Sequence, residues 1–219
     1  MGGGTLTESV PDPGQQLLPI DPLDPVPTVG GANLGYPLST TLRGPWDQAA
    51  IESRADVLTF TTEPLTQLAT VVGLVTARIW ILPDTLDLDL SVRLSDVYPD
   101  GRSILVVDGI QRARMRIEDT AEHLLIPDVP TAIEVDLWST AMVFNTGHRI
   151  RVDLAGTNWN RFERNSNDGG DLNNPNYIPA NPQILFGPPY PSAIYLPFMA
   201  LFADGFEGGS AAAWSHTVP

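Results

Sequence analysis

From Leu86 to Tyr98 the chain reads LDLDLSVRLSDVY, so that Leu86, Leu88, Leu90, Val92 and Leu94 alternate with Asp87, Asp89, Ser91 and Arg93. Successive side chains of a strand point to opposite faces, and this alternation therefore predicts a strand with one apolar and one polar side. The same period returns in VLTFT from Val57, in TARIWIL, where Ala77, Ile79 and Ile81 share a face, and in SILVVDG, IQRARMRI, AIEVDLW and HRIRVDL. YPDGR and NTGH supply turns, and PQILF and SAIYLPF read as shorter strands bounded by proline. A helical turn is predicted only at WDQAAIES, Trp46 to Ser53. Roughly eight strands without intervening helices predict an all-β chain, a jelly-roll β-sandwich with one face of each strand on the core and the other in solvent.

The ends of the chain depart from this pattern. Residues 1–45 are dense in Pro and Gly (PDPGQQLLPIDPLDPVPTVGG), which forbids helix and favours extended backbone lying over a surface without building a core. Residues 203–219 turn to small residues and Gly and read as a tail. The expected organisation is an extended segment over 1–45, a sandwich over 46–200 and a flexible tail over 201–219.

Composition narrows the function. The net charge is −14 and all 12 basic residues are Arg, so the long-range field disfavours nucleic acid and anionic membrane. There is no Cys, which removes disulfides, thiolate metal sites and a cysteine nucleophile but selects no compartment. The first residues, MGGGTLTESVPDPGQQ, lack the basic and apolar regions of a signal peptide, and no apolar run reaches the roughly 18 residues of a membrane span. The expectation is a soluble chain.

Candidate chemistry is sparse. GGSAA, Gly208 to Ala212, lacks the closing Gly of a nucleophile elbow, and His123, His148 and His216 have no metal-ligand spacing. His148 reads as a turn residue at a strand entrance. Asp87 and Asp89, with Asp84 nearby, read as a solvated strand face, and NSNDGGDLNN has calcium-loop composition without EF-hand spacing. No catalytic residue, metal site or cofactor is therefore expected. Where HRIRVDL stops, a loop begins with Asn158, Trp159, Asn160, Arg161, Phe162, Arg164 and Asn165. Its planar donors can fasten carbonyls and carboxylates at the rim of a sandwich, or at its seam with another domain. Trp80 and Trp138 alternate with core residues and should be bare unless something covers them. With Trp46 and Trp159 they leave two readings open, a face for another domain or a carbohydrate-binding face.

Five segments in order, DPLDPVPTVGG, GPWDQAAIESRADVLTFTTEPL, DTLDLDLSVRLSDVYPDGRSILVVDGIQRARMR, IEVDLWSTAMVFNTGHRIRVDLAGTNWNRFERNSNDGG and GPPYPSAIYLP, resemble the C-terminal non-catalytic domain of the CocE/NonD family of serine hydrolases, the cocaine esterase and X-Pro dipeptidyl-peptidase type. The resemblance runs over about residues 20–198. It implies a galactose-binding-like jelly roll packed on an α/β-hydrolase domain, in cis or from an adjacent gene, with the catalytic triad in that other domain. No catalytic residue can be carried onto this chain. It further implies that the loop GGANLGYPLSTT, with Asn33, Leu34 and Tyr36, approaches the substrate pocket. The family domain begins with a strand before DPLDPVPT, so an early strand is expected to be missing here. The ending FADGFEGGSAAAWS is similar to endings of exported bacterial proteins. Trp80, Trp138 and the GGANLGYPL loop are the expected seam, which self-association or the chain's own Pro-rich segment would cover in isolation. A stand-alone carbohydrate-binding module is the alternative.

Overall fold

The computed structural model describes residues 2–34, 42–118, 120–172 and 174–199. The elements are, in chain order, β1 (Gly2–Thr5), β2 (Gly14–Leu17), α1 (Ala49–Glu52), β3 (Val57–Thr61), β4 (Ala69–Leu82), β5 (Asp89–Val97), β6 (Ser103–Arg112), a 3-10 turn (Ala113–Met115), β7 (Thr131–Phe144), β8 (Arg149–Ala155), β9 (Gln183–Phe186), β10 (Ala193–Tyr195) and β11 (Phe198–Met199). They form two sheets. One has the order β1-β3-β8-β5-β6, antiparallel except for β1, which runs parallel to β3. In the other, β4 pairs with β7 along one edge and with β9, β10 and β11 along the other, and β2 closes the far side on β9.

The alternation places the core. Leu88, Leu90, Val92 and Leu94 meet Val71, Val75, Ala77, Ile79 and Ile81 of β4 and Ile133, Val135 and Leu137 of β7 between the sheets, with Ile150, Val152 and Leu154 of β8 beside them. Burial of such side chains stabilises by about 1.5–3 kcal/mol each. The all-β sandwich stands, although IQRARMRI does not run on as a strand. Chain pairing stops at Arg112, and Ala113 to Met115 turn as a 3-10 helix.

Two expectations about the outside are corrected. The Pro-rich segment does build core: Leu18 and Ile20 join the main cluster, and Val26 joins a second cluster with Ile51, Val57 and Ala155. It also carries β1 and β2, so strands do precede DPLDPVPT. Ile20 sits against Gly156, where any Cβ would lie 2.3 Å from it. The second cluster lies on the outer face of the five-stranded sheet, because Val57, Ala155 and Ser91 pair across β3, β8 and β5. Residues 44–56 help to roof that face, through Gln48 N–H to the Ser103 carbonyl (2.7 Å) and Leu105 N–H to the Trp46 carbonyl (3.0 Å). Beneath this roof β5 is buried on both faces along its whole length. The polar side of LDLDLSVRL is therefore not solvated: Asp87, Asp89, Ser91, Arg93 and Ser95 are all buried.

Candidate docking groove and its polar rim

The two sheets come together at the edge formed by β6 and β7. At Gly109 the strands nearly touch, and a Cβ there would lie 2.1 Å from the Asp136 carbonyl oxygen. Nearby they part around a groove of about 570 Å³, walled by Leu105 to Asp108 of β6, Leu137 to Thr140 and Met142 of β7, Tyr98, and the remote segments Gly31–Ala32 and Gly44–Pro45. Trp138 stands on its lip, 66% exposed. Its position comes from a β-bulge: Leu74 pairs with Ser139 and Thr76 with Asp136, so Leu137 and Trp138 together oppose Val75. Such a bulge breaks strict alternation and re-aims one side chain. Trp138 takes φ 72°, and its N–H donates to Asp136 Oδ1 at 2.6 Å.

The inner wall of the groove is ionic. Arg161 Nη1 donates to both oxygens of Asp108 at 2.9 Å, and Asn158 Nδ2 donates to Asp108 Oδ2 at 3.0 Å. Thr28 Oγ1 donates toward Asn158 Oδ1 (2.7 Å) and accepts from Arg161 N–H (3.2 Å), tying the N-terminal segment to the loop. Gly31 passes directly over this pair at φ +75°, where a side chain would meet Asp108 Oδ1 at 2.9 Å. Phe162 N–H donates to the Asn158 carbonyl and the Phe162 ring lies under Arg161, 4.9 Å from its guanidinium carbon.

Farther along, the loop fastens the start of β5. Asn165 Nδ2 donates to Asp87 Oδ2 (2.7 Å) and to Asp89 Oδ1 (2.9 Å). Arg114 reaches Asp87 with its backbone N–H (2.9 Å) and Nε (2.7 Å), and Arg112 grips Asp89 with Nε (2.8 Å) and Nη2 (3.0 Å). Bidentate pairs of this kind are the strong ones, and they explain how two carboxylates tolerate burial. Burial pushes the Asp89 carboxyl up, Arg112 and Asn165 hold it down, and the Arg112 guanidinium is raised by Asp89 in return. Arg164 Nη1 donates to the Pro22 carbonyl (3.0 Å), and its guanidinium covers the rings of Trp159 (5.0 Å) and Tyr177 (4.5 Å). A ring face occupied by Arg164 is not presented to a pyranose.

The remaining candidates scatter. Asn33 is buried and Leu34 is 84% exposed. Tyr36 and the readings placed on residues 201–219 lie outside the described residues. Trp80 is not a bare seam residue: it is half-buried, its ring is paired with that of Tyr190 at 5.1 Å, and its main-chain N–H donates to Ser192 Oγ. Trp46 is 45% exposed, with Nε1 donating to the Arg43 carbonyl. His148 is more than a turn residue. It is buried, with Nδ1 2.9 Å from Asp96 Oδ1 and its ring 4.4 Å from that of Tyr98. Among the described residues, no three or more His, Cys, Asp or Glu are placed to hold a metal ion, and no helix is long and apolar enough to cross a membrane. Thr28, Asp108, Arg112 and Arg114 were not singled out from sequence, because nothing in a strand pattern marks which polar residue will be roofed.

Fold and site define a β-sandwich whose polar groups hold its loops in place beside an open, apolar-lipped groove. Comparison with known proteins gives the family. The chain belongs to the X-Pro dipeptidyl-peptidase C-terminal non-catalytic domain family, whose model matches residues 3–195. It is 38% identical over 207 residues to cocaine esterase of Rhodococcus sp. (strain MB1 Bresler), covering 90% of this chain and 35% of that protein. Among solved structures it is similar to an aminopeptidase from a marine sediment Thaumarchaeota archaeon (TM-score 0.83, 25% identity, 90% of this chain and 35% of that one). It is also similar to an α-amino acid ester hydrolase (TM-score 0.77, 28% identity, 85% and 33%). A CocE/NonD family hydrolase of Staphylococcus aureus shares the fold (TM-score 0.61, 15% identity, 89% and 34%). The chain thus spans about a third of the length of these relatives, and the carbohydrate-binding alternative gains nothing from them.

Proposed function

We propose that this chain serves as the accessory β-sandwich of a CocE/NonD-type serine hydrolase, bracing an α/β-hydrolase domain that cleaves ester or Xaa-Pro peptide bonds. The observation that carries this reading is convergence at the groove. Trp138, the Gly31–Ala32 turn and Arg161, far apart in sequence, meet at one edge of the sandwich, with an exposed indole on the lip and a paired charge within. Domain contacts commonly bury on the order of 600–1,500 Å² and mix apolar and polar groups, a description this edge fits. The loop that follows, with Asn33, Leu34 and Tyr36, is proposed to reach toward the partner's substrate pocket, and Asn158 to Asn165 to hold the seam side of the sandwich in shape.

The test is reconstitution. The chain alone is expected to turn over neither p-nitrophenyl esters nor Xaa-Pro-nitroanilides, and to bind a separately produced hydrolase domain of the same family. Trp138→Asp should abolish that binding, and light scattering of the free chain should show self-association that the same substitution removes. Turnover by the chain alone that a serine-directed phosphonate inhibits would overturn the reading.

A further inference from the structure

Beneath the roof formed by residues 44–56 lies a group of charges that the groove does not use. Glu52, the last residue of α1, and Asp153, in the middle of β8, are both buried. The two oxygens of Glu52 are engaged by Ser103 Oγ of β6 and by Arg151 Nη1 of β8. Arg151 and Asp153 stand two residues apart on β8 and share its outer face, which sets Glu52, the carboxylate that Arg151 holds, beside Asp153. Neither Asp153 oxygen accepts a hydrogen bond from an N–H or O–H of the described residues. Arg93 of β5 is its register partner, yet neither Nη of Arg93 reaches it in a hydrogen bond. Asp56, just after α1, and Asp108, the carboxylate that Arg161 holds at the groove, also act on Arg93.

Two buried carboxylates side by side, one of them with no hydrogen-bond donor on either oxygen, repel unless one of them carries a proton. We propose that Glu52 and Asp153 form a buried proton-binding site, with the proton on Asp153 donated to Glu52, and that this shared proton clamps the roof onto the five-stranded sheet. Electrostatics point the same way. Burial, and then the Glu52 charge, hold the Asp153 carboxyl well above the usual carboxylate range, while Arg93 and Arg151 pull against them.

The sign follows from linkage. A carboxyl raised in the folded state binds more protons there than in the unfolded chain. Its contribution is therefore full below the unfolded carboxylate range and declines as pH rises to the folded value. The decline is about tenfold in the folding constant per pH unit. Denaturant unfolding of the wild-type chain and of Asp153→Asn between about pH 5 and about pH 9 reads this directly. The amide keeps a donor toward Glu52, so the variant should match wild type near the acid end and lack its decline above it. Infrared spectroscopy of the folded wild type near neutral pH should show a protonated-carboxyl band that the variant lacks. Glu52→Gln supplies a second reading, since removing that charge should move the decline to lower pH. Identical pH slopes in wild type and both variants, or a protonated-carboxyl band unchanged by Asp153→Asn, would overturn the proposal. If Asp153→Asn fails to fold, the wild-type band shifting to lower pH in Glu52→Gln supports it and an unshifted band refutes it.

Discussion

The two faces of β5 are equally buried and chemically opposite. On one, Leu90, Val92 and Leu94 pack into the space between the sheets. On the other, Asp89, Ser91, Arg93 and Ser95 lie under the N-terminal segment and α1 without reaching solvent. The inner face needs only matching shape, since apolar groups gain from burial in any direction. Polar groups on the outer face gain only where a partner stands at hydrogen-bond distance, as Asp89 finds in Arg112 and Asn165, whereas Ser91 Oγ, Ser95 Oγ and both Nη of Arg93 meet none among the described residues. The inner face therefore resists small errors of placement, whereas the outer face locks a particular arrangement of loops.

The largest expected effect comes from breaking the outer face at its most buried pair. Arg114→Met leaves the Asp87 carboxylate buried without its guanidinium, and urea unfolding should show a loss of about 3–5 kcal/mol. Leu94→Ala, on the inner face of the same strand, should cost about 2–5 kcal/mol in the same assay. It should do so without moving loop residues 158–165, whose amide resonances Arg114→Met should shift. Asn165→Ala removes two hydrogen bonds to Asp87 and Asp89 and should cost about 1–3 kcal/mol, because both carboxylates lose a donor while staying buried. At the small end stands a pair on the outside of the other sheet. Arg78 and Glu134 are bonded but half exposed, and Arg78→Ala should change the urea midpoint least of the four, and less still in high salt. An exposed pair costing as much as Arg114 would show that burial is not what separates the two faces.

The strands were legible because they depend on period alone. VLTFT from Val57 to Thr61 matches β3 residue for residue, and HRIRVDL matches β8 to within a residue or two at its ends. Asp87 and Asp89 were read as solvated because alternation says only that they point away from Leu88 and Leu90. It does not say that Asn165 and Arg114 will meet them there. Trp80 was misread for the same reason, since Tyr190 lies 110 positions along the chain and closes over it only after β9 and β10 pair with β4. The loop from Asn158 was recognisable as a set of donors, but its acceptors, Asp108 on β6 and Pro22 in the N-terminal segment, were not.

The sequence by itself determined that this protein is all-β, which faces of β4, β5, β7 and β8 turn to the space between the sheets, and, through five ordered motifs, its family. These follow from local dihedral preference and from a period that hydrophobic burial reads without regard to partner. Tertiary structure alone decided that the polar face of β5 is roofed, that Trp138 is turned onto the groove by a bulge while Trp80 is covered, and that Glu52 comes to rest on Arg151 of β8. Each of these depends on how far apart two remote segments come to rest, and electrostatic and hydrogen-bond energies change over distances of an ångström that no local pattern encodes.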